Sequence, residues 1–269
     1  MSKLTKTEAI EKIKAELLNV DSKGKKARNV RFLASALGSI PWVGGFIAAS
    51  AALHSEFEQG KVNDLQKLWL EEHTKKIDEL AYTIYQIFER IDSVGEDINE
   101  RLESEEYLGI VREGFKEWDN AKTFEKKEYI RKLITNAGAN NITTDDIIQL
   151  FIDWIGTYHE LHFSVIKEIY KNPYITRAEI WNTFNENQPQ ENSMEADLYK
   201  LMFRDLSTGG IIRQARETDY YGNFLKQPTR KRNSSTLTSA FDDGKGYELT
   251  ELGKQFVHFT MEEVVTKIE

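Results

Sequence analysis

The stretch FLASALGSIPWVGGFIAASAALHS, residues 32–55, carries no formal charge, although charged residues make up 30% of the chain. Basic residues stand just before it, at Lys23, Lys25, Lys26, Arg28 and Arg31. Because exposed apolar surface is unfavourable in water, such a stretch is buried in a core, covered by a partner or placed in a membrane. Which of these applies decides the fold of the N-terminal half and much of the function.

Pro41 divides the uncharged stretch, because proline lacks the amide N–H that an interior helical position needs. Three nearby glycines weaken the helix on either side of it. The sequence therefore predicts a helical hairpin over 27–58, with two short arms at 27–37 and 45–58 joined by the turn GSIPWVGG. Each arm is shorter than the ~20 apolar residues of a membrane-spanning helix, so a permanent span is not expected.

Two states of this hairpin remain open. The sequence favours a resting state in which its small residues pack inside a helical bundle, and the alternative is conditional insertion into a membrane. The basic residues upstream would meet anionic lipid, and Trp42 suits a membrane interface. The predicted contact residues for a membrane or a partner are Phe32, Leu33, Leu37, Ile40, Trp42, Val43, Gly44, Gly45, Phe46 and Ile47.

An apolar residue recurs every seven positions after the hairpin, in a stretch without proline. A second row lies three positions further on. This 3–4 spacing predicts one long helix over 61–103 with a coiled-coil seam, which must pair within the chain or with another copy. We expect a homo-oligomer to form through the seam residues Leu70, Ile77, Leu80, Ile84, Ile87, Ile91, Val94 and Ile98.

The C-terminal third combines helices with strands. DLYKLMFRDLSTGGIIRQ (197–214) predicts a helix that ends at Gly209–Gly210 and is followed by a strand. GYELTELGKQFVHF (246–259) predicts a strand followed by a helix. Both segments resemble parts of a winged-helix domain, and the resemblance covers about 157–262. It implies an α+β module with a long basic wing over 218–245, and modules of this fold bind DNA, protein or neither.

The predicted fold class is mainly α. A helical module over 1–156 holds the hairpin and the long coiled-coil helix, and a winged-helix module over 157–269 follows. The net charge of −8 makes general binding to nucleic acid or to anionic lipid unfavourable, so either kind of binding would need a local basic patch.

A candidate nucleic-acid surface lies on the predicted third helix, the next strand and the wing, since lysine and arginine neutralise phosphates. Glu195, Asp197 and Asp205 on the same helix argue against DNA reading. The sequence therefore favours contact with a protein partner, or a purely structural role, over DNA binding, which remains the alternative. The candidate residues are Lys200, Arg204, Arg213, Arg216, Lys226, Arg230, Lys231 and Arg232.

No motif points to catalysis, a cofactor or a metal, and none is expected. The chain has no cysteine, which excludes disulfides and thiolate ligands. His159 and His162 are three residues apart, whereas the H-E-x-x-H zinc motif needs four, so two structural histidines are expected. Adjacent acidic residues such as Asp145–Asp146 more often begin a helix than form a catalytic pair.

Two functions follow from these features. The first is a non-enzymatic, self-associating effector or adaptor of the bacterial defence or cell-death type, whose hairpin becomes exposed to a membrane while the winged-helix module senses a partner. Helical pore-forming toxins are similar to it in architecture. The second is a dimeric winged-helix DNA-binding transcriptional regulator. The expected location is the cytoplasm, with the periphery of the inner membrane reached on activation.

Overall fold

A computed structural model describes residues 27–56, 64–94, 98–139, 142–216, 220–221, 225 and 239–262. These residues form eleven helices and one three-stranded antiparallel sheet, so the prediction of a mainly helical chain is confirmed. The chain divides into two compact units, the first reaching Thr157 and the second running over Tyr158–Met261. Four predicted wing residues lie outside the described residues: Lys226, Arg230, Lys231 and Arg232.

The described part of the first unit is entirely helical. Its helices are α1 (Ala27–Gly38), α2 (Pro41–Glu56), α3 (Asp64–Val94), α4 (Asn99–Glu103), α5 (Glu105–Asn120), α6 (Phe124–Ala139) and α7 (Asp145–Thr157). Helix α5 lies at the centre, because α1, α6 and α7 all pack against it.

The sequence of α5 explains its position. Ser104 caps the helix, since its side chain accepts the backbone N–H of Tyr107. Tyr107, Val111, Phe115 and Trp118 recur at helical spacing and are buried on one face. That apolar face accepts the surrounding helices, and it forms the core of the first unit.

The predicted turn GSIPWVGG is shorter in the structure than the sequence suggested. Helix α1 ends at Gly38 and α2 begins at Pro41, and the two helices are bent by 100°. Proline suits the first turn of a helix, because the N–H groups there have no acceptor within the helix. Gly44 and Gly45, which the prediction put at the end of the turn and the start of the second arm, both lie inside α2.

The predicted long helix over 61–103 is not continuous. Helix α3 ends at Val94, Ile98 lies in a turn, and α4 begins at Asn99. This corrects the prediction of one unbroken helix, and the coiled-coil arrangement stays a prediction.

Most of the predicted seam is buried inside the chain. Helix α3 packs against α2 and α6, and the Lys127 ammonium of α6 lies 2.5 Å from the Glu79 carboxylate. The seam therefore has partners within the chain, one of the two alternatives that its pattern allowed. Self-association stays a prediction, but the buried seam residues are not available as its contact surface. The buried seam side chains are Ile77, Leu80, Ile84, Ile87, Ile91 and Ile98, whereas the side chains of Leu70 and Val94 lie outside the described residues.

The second unit alternates helices and short strands. Its elements are α8 (Glu160–Lys171), β1 (Ile175–Thr176), α9 (Arg177–Phe184), α10 (Met194–Thr208), β2 (Ile212–Gln214), β3 (Gly246–Leu249) and α11 (Glu251–Thr260). The sheet order is β1-β3-β2, with both pairs antiparallel. The sequence predicted strands near β2 and β3 but not β1.

A glycine turn directs the chain from α10 into the sheet. Gly210 has a φ of +77°, a conformation that side chains disfavour, and the N–H of Ile211 donates to the carbonyl of Leu206 at 3.0 Å. This is the hydrogen bond of a Schellman end. The turn brings the C-terminal end of α10 beside β2, where the candidate site lies.

Candidate functional site

An arginine-lined cleft lies beside α10, β2 and β3 in the second unit, with a volume of about 580 Å³. Arg177, Arg204, Arg213 and Arg216 all line it. Further hydrogen-bonding groups come from hydroxyl and amide side chains of the lining, namely Ser207 and Thr208 of α10 and Gln214 of β2. The cleft thus gathers positive charge in a chain whose net charge is −8.

Arg177 is held by aromatic rings at the edge of the sheet. Its guanidinium lies 4.8 Å from the ring centre of Phe203 and 5.3 Å from that of Tyr247. One terminal nitrogen donates to the carbonyl of Ser239 at 3.5 Å, while the buried Nε has no hydrogen-bond partner. The side chain is therefore fixed in place beside the cleft.

The other arginines differ in how far they are neutralised. The pairing of β2 with β3 puts Arg213 opposite Glu248, and the Arg213 Nε donates to that carboxylate at 2.7 Å. Arg204 is 72% exposed, and its Nε is 3.8 Å from the carboxylate of the adjacent Asp205, too long for a hydrogen bond. Arg204 therefore retains most of its capacity to bind an anion.

The structure brings together only part of the predicted nucleic-acid set. Arg204, Arg213 and Arg216 meet in the cleft. Lys200 is not among the residues that line the cleft, and its ammonium pairs with Glu191 at 3.0 Å. Sequence reasoning missed Arg177, which follows the helix cap Thr176 and gave only the signal of a helix start.

The outer face of α10 is apolar and acidic. Met194, Leu198 and Leu201 are exposed and lie at positions i, i+4 and i+7, which form one row on a helix. Glu195 and Asp197 accompany them in the first turn. This face suits contact with a protein better than contact with phosphates.

Glu191 fastens the segment before β3 to α10. Its carboxylate accepts the backbone N–H of Ala240 at 3.0 Å and the hydroxyl of Ser239, and it pairs with Lys200. These hydrogen bonds and the Lys200 charge favour the ionised form and lower the pKa of Glu191 to about 2.

Replacing Glu191 with glutamine is expected to destabilise the second unit by roughly 1 kcal/mol at pH 7, because the carboxylate is half exposed and the solvent screens it. The pKa is lowered in the folded state, so the stabilisation is complete above the ordinary value of 4.5 and is lost as the pH falls towards 2. Urea unfolding of both proteins across this range measures the difference. If the difference in the free energy of unfolding between the two proteins stays constant down to pH 3, the lowered pKa of Glu191 is contradicted.

Helix α1 of the hairpin belongs to the core of the first unit. Phe32 is 2% exposed, and its ring centre is 5.0 Å from that of Phe88 and 6.0 Å from that of Phe115. Leu33 and Ile40 are also buried, whereas Leu37 is half-buried. The resting state that the sequence favoured, a buried hairpin, therefore describes α1 well.

Helix α2 is buried on one side only. Val43 and Phe46 face the interior and Ile47 is half-buried, whereas Gly44 and Gly45 are exposed. No charged residue occurs between the start of this helix and its last residue, Glu56. Over residues 41–49, the part of α2 whose side chains the structure describes, an uncharged outer face of small residues thus lies on the surface of the first unit.

Trp42 fastens the start of α2. Its indole N–H donates to the Asp119 carboxylate at 2.7 Å. The ring also meets His73 edge-on with centres 5.1 Å apart, and His73 stacks on Trp69 at 4.0 Å. The half-buried Trp42 thus connects α2 to α3 and α5 through polar and aromatic contacts.

The predicted histidine pair lies at the start of α8. His159 is the residue before the first turn, and its backbone N–H donates to Nδ1 of the buried His162 at 3.2 Å. Over the described ranges of the chain, no group of three or more histidine, aspartate or glutamate side chains could hold a metal ion.

Among the described helices, none is alone long and apolar enough to cross a bilayer, although the bent pair Arg31–Gly38 and Pro41–Ala49 meets that criterion jointly. Comparison with protein-family models, curated proteins and solved structures found no match to the chain. Its function must therefore be inferred from the cleft and from α2.

Proposed function

We propose that the protein is a non-enzymatic effector or adaptor that binds an anionic membrane surface through α2 and carries a winged-helix sensing domain as its second unit. The observation that carries this proposal is the uncharged helix α2 at the surface. A helix that is apolar on every side is ordinarily buried in a protein or in lipid, yet Gly44, Gly45 and Ala48 are exposed.

The dimensions of α2 favour binding within the membrane interface over crossing the bilayer. Its 16 residues extend about 24 Å at a rise of 1.5 Å per residue, less than a hydrocarbon core of ~30 Å. A membrane-bound helix too short to cross therefore stays within one leaflet, and basic residues near it in the sequence strengthen binding to anionic lipid. Arg31 is exposed, and four further basic residues precede it in the sequence.

The membrane contact is narrower than the hairpin that the sequence suggested. Phe32 lies in the aromatic core, so α1 remains with the first unit while α2 meets the lipid. Self-association stays part of the proposal. It does not use the seam of α3 as its contact surface, because those side chains are buried within the chain.

The arrangement of the second unit supports its proposed winged-helix character. The order α8, β1, α9, α10, β2, β3 and the sheet order β1-β3-β2 are those expected of that fold. The apolar and acidic outer face of α10 supports sensing of a protein partner. DNA binding by a dimeric regulator is a second candidate, which the convergence of Arg204, Arg213 and Arg216 favours.

Replacing Gly44 with aspartate is expected to weaken sedimentation of the protein with vesicles of phosphatidylcholine and phosphatidylserine by about tenfold. A Cβ at Gly44 meets no atom within 4 Å, so the charge enters the lipid-facing side without disturbing the fold. Placing an aspartate at the centre of a bilayer costs about 2.5–3.5 kcal/mol, roughly 70- to 400-fold in affinity, and proportionately less near the surface.

The matched control is Gly44→Ser, which is small and uncharged and should retain at least a third of the binding. Circular dichroism of both variants checks that the fold is unchanged. Wild-type protein that stays in the supernatant at every anionic lipid content, or equal sedimentation of the two variants, would overturn the membrane proposal.

A further inference from the structure

We propose that the arginine-lined cleft of the second unit binds the phosphate groups of a nucleotide-class ligand, either a free nucleotide or the backbone of a nucleic acid. The proposal rests on the proposed function only in treating the second unit as the sensing part of the protein. It assigns to that unit a ligand chemistry distinct from the protein contact expected on the outer face of α10.

The composition of the cleft selects for phosphate. Four arginines line one cleft, and the planar fork of a guanidinium matches two oxygens of a phosphate at once. Arg213 is already neutralised by Glu248, whereas the exposed Arg204 lies 3.8 Å from Asp205 and keeps most of its capacity to bind an anion. The charges of the lining arginines suit an anionic ligand such as a phosphate.

The local electrostatics favour an anion despite the helix end beside the cleft. Ser207 and Thr208 belong to the last turn of α10, where the helix dipole contributes about half a negative charge. The charges of Arg177 and Arg204 alone exceed this contribution. Hydroxyl groups in the same turn can donate to phosphate oxygens, so the helix end supplies hydrogen bonds as well as an opposing dipole.

Arg177 gives the cleft a preorganised anchor. The rings of Phe203 and Tyr247 and the carbonyl of Ser239 hold its guanidinium in place, so little side-chain freedom is left to lose when an anion binds. The cleft volume of about 580 Å³ lies within the range of ~300–1,000 Å³ that small-molecule sites occupy.

Isothermal titration with pyrophosphate and with ATP tests the site in the full-length protein. We expect Arg204→Ala to weaken binding at least tenfold, because it removes a charge-assisted contact from an exposed side chain without disturbing the core. Lys200→Ala is the matched control, one helical turn away on α10 and outside the cleft, and it should change the affinity less than twofold.

Separate titrations with single-stranded and duplex DNA of 12 nucleotides distinguish the sources of phosphate. Binding of either DNA that weakens steeply with salt and is lost in Arg204→Ala assigns the cleft to a nucleic-acid backbone, whereas ATP binding alone assigns it to a free nucleotide. No binding of pyrophosphate, ATP or DNA at millimolar ligand, or equal losses in Arg204→Ala and Lys200→Ala, overturns the proposal. Vesicle sedimentation is measured independently, so failure of the cleft and failure of the membrane proposal are distinguishable.

Discussion

Replacing Gly253 with alanine is expected to lower the free energy of unfolding of the second unit by about 3 kcal/mol, the upper end of ordinary overpacking. The added Cβ would lie 2.2 Å from the carbonyl oxygen of Ile211. That oxygen belongs to the backbone and accepts the N–H of Thr250 at 2.9 Å, so it cannot move without breaking the junction between the sheet and α11. Hydrogen exchange resolved by segment measures the loss.

Gly244 provides the matched control in the same unit. A Cβ there has Asp242 Oδ1 as its nearest atom at 3.4 Å, an ordinary contact, so Gly244→Ala should change stability by less than about 0.5 kcal/mol. Similar losses in the two variants would show that the close approach of α11 to Ile211 does not hold in solution.

Replacing Phe32 with alanine is expected to destabilise the first unit by about 3–5 kcal/mol, the usual cost of a fully buried aromatic ring. The ring lies among Phe88, Tyr107 and Phe115, and neighbouring helices would have to collapse to fill the cavity. The expected consequence is partial unfolding of the first unit at 37 °C, detected by urea titration and near-ultraviolet circular dichroism.

Ile47→Ala on α2 is the comparison for this variant. Ile47 is half-buried, so its truncation should cost only about 1 kcal/mol, since much less apolar surface is lost from the interior. If Phe32→Ala and Ile47→Ala lower the free energy of unfolding by the same amount, α2 is packed against the first unit as tightly as α1. The proposal that α2 alone meets the membrane would then lose its basis.

Helical periodicity predicted much of the first unit but not the identity of its partners. The spacing of Ile77, Leu80 and Ile84 defines one apolar face, and the same face results whether a helix of the same chain or another copy covers it. Pro41 marked the break between the arms correctly, but a proline that ends one helix can also begin the next. The sequence therefore located the hairpin better than its turn.

The cleft could be predicted only in part because it depends on tertiary pairing. Arg204 and Arg213 are close in sequence, joined by the glycine turn after α10, and their association was visible in the pattern. Arg177 reaches them through the sheet, whose first strand has only two residues. A strand of two residues is too short to show alternating apolar and polar side chains. No sequence pattern therefore indicated β1 or the position of Arg177 beside the other arginines.

A fluorophore attached to α2 tests the central claim most directly. The chain has no cysteine, so Ala48→Cys allows attachment of an environment-sensitive nitrobenzoxadiazole label at an exposed position of that helix alone. Glu106→Cys, exposed at the start of α5, is the matched control. With anionic vesicles, we predict a blue shift and a severalfold gain in emission at position 48 and no change at position 106. Unchanged emission at position 48 while the protein sediments with the vesicles would contradict membrane binding through α2.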